Sequence, residues 1–190
     1  LLISLLTVSP YLYRNYQYFN TLVLTKSFGF NLLKGNNPSF KVEGDYEFIE
    51  ILAKKEKNNI KIDNNYNINL DNYYKEKALD YIKSEPLKYL KLYLLKVFSF
   101  LFLDFNSTYP NYFNFFHIFP KAIISITGFI GAIILVKRKG FFQYLSFYYF
   151  LNIFLFSVFF ILPRYSLILL PVQILLSIEV FKYLRCKLLD

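Results

Sequence analysis

The chain has 190 residues, of which 55% are hydrophobic and 22% aromatic, and it carries a formal net charge of +9. Its single cysteine, Cys186, excludes an internal disulfide framework. Residues 9–85 hold 11 basic and 10 acidic side chains, whereas residues 86–190 hold 11 basic and 3 acidic ones. The excess positive charge therefore lies beside apolar segments, which favours anionic lipid headgroups as the partner and argues against nucleic acid.

Residues 1–8 are apolar, but they lack the basic start and the small-residue cleavage site of a signal peptide. We expect them to be the end of a preceding transmembrane helix. We also expect the chain, which contains no methionine, to be a fragment whose N-terminal membrane half is missing. From Pro10 to Pro38 the sequence is not a membrane segment, and the Gly and Asn residues of SFGFN (27–31) and KGNNP (34–38) predict two tight corners.

Residues 9–86 form a polar stretch that we predict to be a small extracytoplasmic region of helices and loops. Apolar residues recur at helical spacing over 48–52 and predict a short amphipathic helix. Residues 60–74 are rich in Asn and Asp and predict a loop. Residues 75–85 predict a second helix, which must bend near Pro86 because proline cannot continue the hydrogen-bond ladder.

Residues 87–103 contain 17 residues, the lower limit for a membrane-spanning helix. On a helical wheel the polar residues share one side, which predicts a helix lying in the membrane interface with its lysines facing water. A short transmembrane helix is the alternative. The residues of the polar side are Lys88, Lys91, Lys96 and Ser99.

Residues 104–190 predict a three-helix transmembrane region, with spans at 118–136, 141–162 and 166–181. Gly128 and Gly131 suit close helix packing in the first span. By the positive-inside rule, the basic clusters after the first and third spans are cytoplasmic. The polar region and Pro163-Arg164 then share the extracytoplasmic side if residues 87–103 are interfacial. The predicted fold is mainly α, a polytopic membrane protein fragment.

Several short motifs occur in an order that is similar to a known family. They are Arg14-Asn15-Tyr16, Gly29-Phe30-Asn31-Leu32, Gly35-Asn36-Asn37, the stretch Ala78–Lys96, and Pro163-Arg164-Tyr165 before an apolar helix containing Pro171. This pattern resembles the GT-C membrane glycosyltransferases, in the bacterial branch near the dolichyl-phosphate-mannose-protein mannosyltransferases and the aminoarabinose transferases of lipid A.

The resemblance implies transfer of a sugar from a polyprenyl-phosphate donor to a lipid, glycan or protein acceptor outside a bacterial inner membrane. A guanidinium at the mouth of a span can bind a phosphate with two hydrogen bonds, which makes Arg164 the first candidate for the donor phosphate. The alternative is that Arg164 anchors the chain at the membrane interface together with Tyr165. Lys121 and Lys96 are further candidates. Among the loop motifs, Arg14, Asn15 and Tyr16 can contact donor or acceptor, or Arg14 can tie the loop down by a cation–π contact with a nearby tyrosine. Asn36 and Asn37 are predicted as turn residues rather than sugar ligands.

The family's catalytic carboxylate is expected in an earlier extracytoplasmic loop that this sequence does not contain, so no residue here is assigned to catalysis. The sequence shows no metal-ligand cluster or nucleotide-binding motif, and the chain alone is expected to be inactive. Two other classes stay open: a non-catalytic membrane scaffold or assembly protein, and a transporter or polymerase of lipid-linked glycans.

Overall fold

The computed structural model describes residues 2–56, 63 and 65–189, and this part of the chain is mainly helical without β-strands. The α-helices, with one 3₁₀ helix before the last of them, follow in chain order. They are α1 (Leu2–Phe19), α2 (Phe28–Gly35), α3 (Tyr46–Glu56), α4 (Tyr66–Ser84), α5 (Pro86–Leu101), α6 (Phe115–Leu135), α7 (Phe141–Phe156), the 3₁₀ helix (Pro163–Ile168) and α8 (Leu170–Leu189).

The N-terminal helix α1 is longer than predicted, because it continues through Pro10 to Phe19 instead of ending near residue 8. The predicted corner at residues 27–31 is also wrong, since these residues begin α2. The reason is a cap from a distant part of the chain: the Asp71 carboxylate on α4 accepts the backbone N–H groups of Gly29 (3.0 Å) and Phe30 (2.9 Å). The second corner, after Gly35, is observed.

Helices α2, α3 and α4 form a small unit around a buried apolar cluster of Leu32, Leu33, Ile49, Tyr74 and Ala78. Helix α3 covers the predicted amphipathic helix. The predicted loop at 60–74 is only partly correct, because α4 already begins at Tyr66. The rest of that predicted loop lies mostly outside the described residues, which omit 57–62 and 64. Phe159, from the apolar part of the chain, packs against this cluster.

Helix α5 does not present all its polar side chains to water as predicted. Lys96 and Ser99 are buried, whereas Leu87 and Leu94 are exposed. The prediction was wrong for Lys96 because its ammonium group finds acceptors inside the protein, described below. Whether α5 lies in an interface stays a prediction.

Helices α6, α7 and α8 pack around a second apolar cluster that includes Ala132, Tyr149 and Leu176. Helices α6 and α8 run parallel and very close together. A Cβ on Gly128 would lie 3.1 Å from Cα of Gln173, and a Cβ on Gly131 would lie 2.5 Å from the Leu176 carbonyl oxygen. The close packing predicted at these glycines is therefore present.

Two of the three predicted spans have different bounds in the structure. Helix α7 ends at Phe156 rather than 162, because residues 158–162 leave the helix and bond to the loop after α2: the Ile161 N–H donates to the Val42 carbonyl at 2.9 Å. The third predicted span, 166–181, is divided between the 3₁₀ helix and α8.

Among the described helices, only α6 is long and apolar enough to cross a membrane by length and composition. Helix α7 is apolar but has 16 residues, which is short for a bilayer core of about 30 Å. Helix α8 has 20 residues and carries Glu179 and Lys182 among its apolar positions.

Candidate anion-binding site

A cavity of about 490 Å³ opens between the N-terminal part of α6, the loop before it, the 3₁₀ helix and the start of α8. Its lining is mostly apolar, but it includes two of the predicted phosphate-binding residues, Lys121 and Arg164. The volume is within the range typical of small-molecule sites. The other lining residues used below are Tyr112, Phe116, His117, Leu167 and Gln173.

Lys121 is held at the cavity wall by an aromatic neighbour. Its Nζ lies 3.5 Å from the Tyr112 hydroxyl and 5.4 Å from the centre of that ring. The hydroxyl is itself fixed, since it accepts the backbone N–H of Asp104 at 2.9 Å. Lys121 has no ion pair within the 4.0 Å limit among the described residues. The Asp104 carboxylate acts on this charge electrostatically without forming an ion pair.

Arg164 is placed by the turn that follows α7. Pro163 begins the 3₁₀ helix, where its fixed φ suits a first helical position. The Arg164 side chain is exposed and has no hydrogen-bond or ion-pair partner in the part of the chain that the structure describes. Burial and the positive charge of Arg164 together lower the pKa of Lys34 on α2.

Two lining residues were not assigned to the site from the sequence. His117 lies on the first turn of α6 with its ring 5.5 Å from the Tyr112 ring. Gln173 is buried and donates to the Tyr149 hydroxyl at 3.3 Å. The sequence signals for both are weak. A single histidine before an apolar segment, or a single glutamine inside an apolar helix, does not predict a binding site unless the residues that surround it in space are known.

Lys96, the third predicted phosphate ligand, does not line this cavity. Its side chain is fully buried, and Nζ donates to the carbonyl oxygens of Gly35 (3.3 Å) and Val158 (3.3 Å) and to Oδ1 of Asn36 (3.2 Å). Burial lowers the pKa of Lys96 to about 7. In this structure its donors are directed to the protein itself.

The asparagines of the Gly35-Asn36-Asn37 motif are buried and hydrogen-bonded, mostly to the backbone. Asn37 Nδ2 donates to the carbonyls of Lys34 and Lys41 (both 2.9 Å), and Oδ1 accepts the Lys41 N–H (2.9 Å). Asn36 Nδ2 donates to the Val158 carbonyl at 3.0 Å. These bonds agree with a turn role.

The first motif lies on α1 and away from the cavity lining. The Arg14 guanidinium lies 5.5 Å from the centre of the Tyr18 ring, which is the kind of cation–π contact that the sequence suggested. Asn15 is buried and donates to the Val23 carbonyl at 2.7 Å. Tyr16 is exposed.

Carboxylates lie on the other side of the loop that carries Tyr112. Asp104 is buried and Oδ1 accepts the Asn106 N–H at 3.0 Å. Burial raises the pKa of the Asp104 carboxyl, and the negative charge of Glu43 raises it further. Glu43 in turn accepts hydrogen bonds from Ser107 and Thr108. Within residues 2–56, 63 and 65–189 no group of His, Cys, Asp and Glu is arranged to hold a metal ion.

No protein-family model, curated protein or solved structure matches this chain.

Proposed function

We propose that the cavity at Lys121 and Arg164 binds the phosphate of a polyprenyl-phosphate-linked sugar, as part of an integral-membrane glycosyltransferase. The observation that supports the proposal most directly is that two cations, 43 positions apart in the sequence, line one mostly apolar cavity, and neither forms a direct ion pair among the described residues. An unpaired guanidinium is a strong ligand for phosphate oxygens.

The surroundings suit a lipid-linked ligand. The cavity is lined mainly by apolar groups, including Phe116 and Leu167, and it lies at the N-terminal end of α6, the helix suited to a membrane. A prenyl chain can then extend along α6 while the phosphate meets the two cations. The same placement suits a polytopic protein of a bacterial inner membrane with the cavity on the extracytoplasmic side. The motif resemblance to the GT-C enzymes supports sugar transfer as the reaction.

The role of this chain in the reaction would be to hold the leaving phosphate. Lys121 and Arg164 would stabilise the negative charge that develops on the phosphate as the bond to the sugar breaks. The base that takes the acceptor proton is not assigned here, since the resemblance places it in a loop outside these residues. We therefore expect ligand binding, but no sugar transfer, from the 190-residue chain alone.

The test is binding of farnesyl phosphate, with farnesol as the matched ligand that lacks the phosphate. The full chain in lipid nanodiscs is titrated and bound ligand is counted by native mass spectrometry. We expect farnesyl phosphate to bind at least about tenfold more tightly than farnesol, and Arg164→Gln or Lys121→Gln to remove about tenfold of that preference, because each deletes a charge-assisted hydrogen bond.

The matched control is Arg138→Gln, which removes an exposed arginine beyond the other end of α6. It should leave the preference for farnesyl phosphate unchanged. Equal binding of the two ligands, or an unaltered preference in both cavity variants, would contradict the proposal and favour the scaffold class. Sugar transfer by the chain alone would contradict the proposal that the catalytic base lies in a loop outside these residues.

A further inference from the structure

A second cavity, of about 630 Å³, lies between the loop after α2, helix α5 and the loop that follows α5. The two loops are joined directly, because Glu43 accepts the Thr108 hydroxyl at 2.6 Å and the Thr108 N–H at 3.1 Å. This cavity shares no lining residue with the cavity at Lys121 and Arg164. It is therefore a separate, preformed space, and its volume is typical of small-molecule sites.

Two buried side chains of this second cavity keep a polar atom without a hydrogen bond in the described chain. Ser99, on α5, is 8% exposed, and its hydroxyl has no partner within residues 2–56, 63 and 65–189. Asp104 is also buried: Oδ1 accepts the Asn106 N–H at 3.0 Å, whereas Oδ2 accepts no hydrogen bond from the same part of the chain. Burial of such groups without a partner costs free energy. Both side chains line the cavity, so a ligand there can supply the missing hydrogen bonds.

The charged groups of the lining favour a neutral ligand that both donates and accepts hydrogen bonds. Four acidic and two basic side chains line the cavity, which gives a formal net charge of −2 and repels phosphates and carboxylates. Lys91, which forms no ion pair among the described residues, repels a cation and adds a donor. A hydroxyl can act as donor and as acceptor, so a ligand with several hydroxyls fits this mixture. The charged lining residues are Glu43, Asp45, Glu47, Asp104, Lys41 and Lys91.

An exposed aromatic pair forms part of the cavity wall. The rings of Phe98 and Phe105 are stacked with their centres 5.9 Å apart, and both side chains are exposed. An aromatic face carries partial negative charge, so it attracts the weakly positive C–H groups of a sugar ring. A sugar combines such an apolar face with hydroxyl groups around its edge. The aromatic wall and the unpartnered polar groups therefore suit the same class of ligand.

We propose that this second cavity is a saccharide-binding site. The sugar ring packs against Phe98 and Phe105. Its hydroxyls bond to Ser99 and Asp104. The two cavities are adjacent, since the hydroxyl of Tyr112 in the first accepts the backbone N–H of Asp104 in the second at 2.9 Å. That the bound saccharide is the acceptor of sugar transfer rests on the proposed function, whereas the binding itself does not depend on it.

The experiment is saturation-transfer NMR of the full chain in lipid nanodiscs, without farnesyl phosphate and with empty nanodiscs as the blank. The saccharide probes are the methyl glycosides of glucose, galactose, mannose and N-acetylglucosamine, each at about 10 mM so that millimolar binding is detected. Tetramethylammonium chloride is the cation probe. We expect transfer to at least one glycoside and none to tetramethylammonium. Ser99→Ala and Phe105→Leu should each weaken binding of that glycoside by about threefold to tenfold, because each removes one contact with the sugar.

Two matched variants outside the cavity lining serve as controls and should leave glycoside binding unchanged. Phe115→Leu replaces a phenylalanine as exposed as Phe105, at 67% for both, and Ser125→Ala replaces a buried serine on α6. If Ser99→Ala lacks a cooperative thermal transition, Phe105→Leu decides the result, because its side chain is exposed.

Transfer to none of the glycosides, transfer to tetramethylammonium alone, or unchanged binding in the folded cavity variants would overturn the proposal. Arg164→Gln should not alter glycoside binding, since Arg164 does not line this cavity. Failure of the phosphate site and failure of the saccharide site are therefore distinguishable.

Discussion

Lys96 differs from the pair Lys121 and Arg164 in how its charge is satisfied. Lys96 is buried, and its Nζ donates hydrogen bonds to three protein oxygens. Lys121 and Arg164 line a cavity and form no direct ion pair among the described residues. Lys96 therefore stabilises the fold, whereas the ligand role of Lys121 and Arg164 stays a proposal. The difference shows that a position beside an apolar segment does not by itself distinguish a lysine bonded inside the protein from one that faces a cavity.

The largest loss of stability is expected from a substitution that creates a steric clash in the buried contact between Gly35 and Phe159. A Cβ at Gly35 would lie 2.4 Å from the carbonyl carbon of Phe159. Gly35→Ala should therefore lower the free energy of unfolding by about 3 kcal/mol or more, because backbone atoms must move apart. Thermal or urea unfolding measures this change. Asn31→Ala, on the same helix, is the control and should stay within about 0.5 kcal/mol; equal effects would mean that the contact is not tight.

A smaller loss is expected when the loop after α2 loses its internal bonds. Asn37 is fully buried and makes three hydrogen bonds to the backbone. Asn37→Ala should cost about 1–3 kcal/mol, since the Lys41 N–H loses its acceptor and the carbonyls of Lys34 and Lys41 each lose one of two donors. The exposed Asn106→Ala serves as the control in the same unfolding assay. A cost below about 0.5 kcal/mol would show that water replaces the side chain.

The smallest effect on stability is expected for Arg164, which lines the cavity. Arg164→Gln should change the free energy of unfolding by less than about 0.5 kcal/mol, because no partner in the described chain is lost. Lys96→Met in the same assay should cost about 1–3 kcal/mol at pH 7, since three buried oxygens lose a donor. If Arg164→Gln is as destabilising as Lys96→Met, the contrast between the two groups is wrong.

The sequence predicted the elements that depend on local pattern. The long apolar run at 118–136 gave α6 nearly its observed bounds, Phe115–Leu135, and the small residues Gly128 and Gly131 marked its close contact with α8. The choice of Lys121 and Arg164 as candidates also came from their positions at the ends of apolar segments. The structure brings these two residues to one cavity, and their role stays a proposal.

The features that the sequence did not predict depend on partners far away in the chain. The sequence alone places Lys96 on a polar helix face. In the structure it bonds to Gly35, which lies 61 residues earlier in the chain. The early end of α7 depends in part on the bond between Asn36 and Val158, which are 122 residues apart. The capping of α2 by Asp71, 41 and 42 residues from the N–H groups that it accepts, has the same cause. Periodicity and composition report neighbours along the chain, and they carry no information about such pairs.

The close contact between α6 and α8 has a consequence for ligand selection. Gly128 and Gly131 fix the spacing of two parallel helices whose N-terminal ends form opposite walls of the cavity. The width of the cavity is thus set in part by backbone contacts about two to three helical turns from Lys121. A search for variants that accept a bulkier ligand should begin at these two glycines, where one added methyl group separates both walls at once.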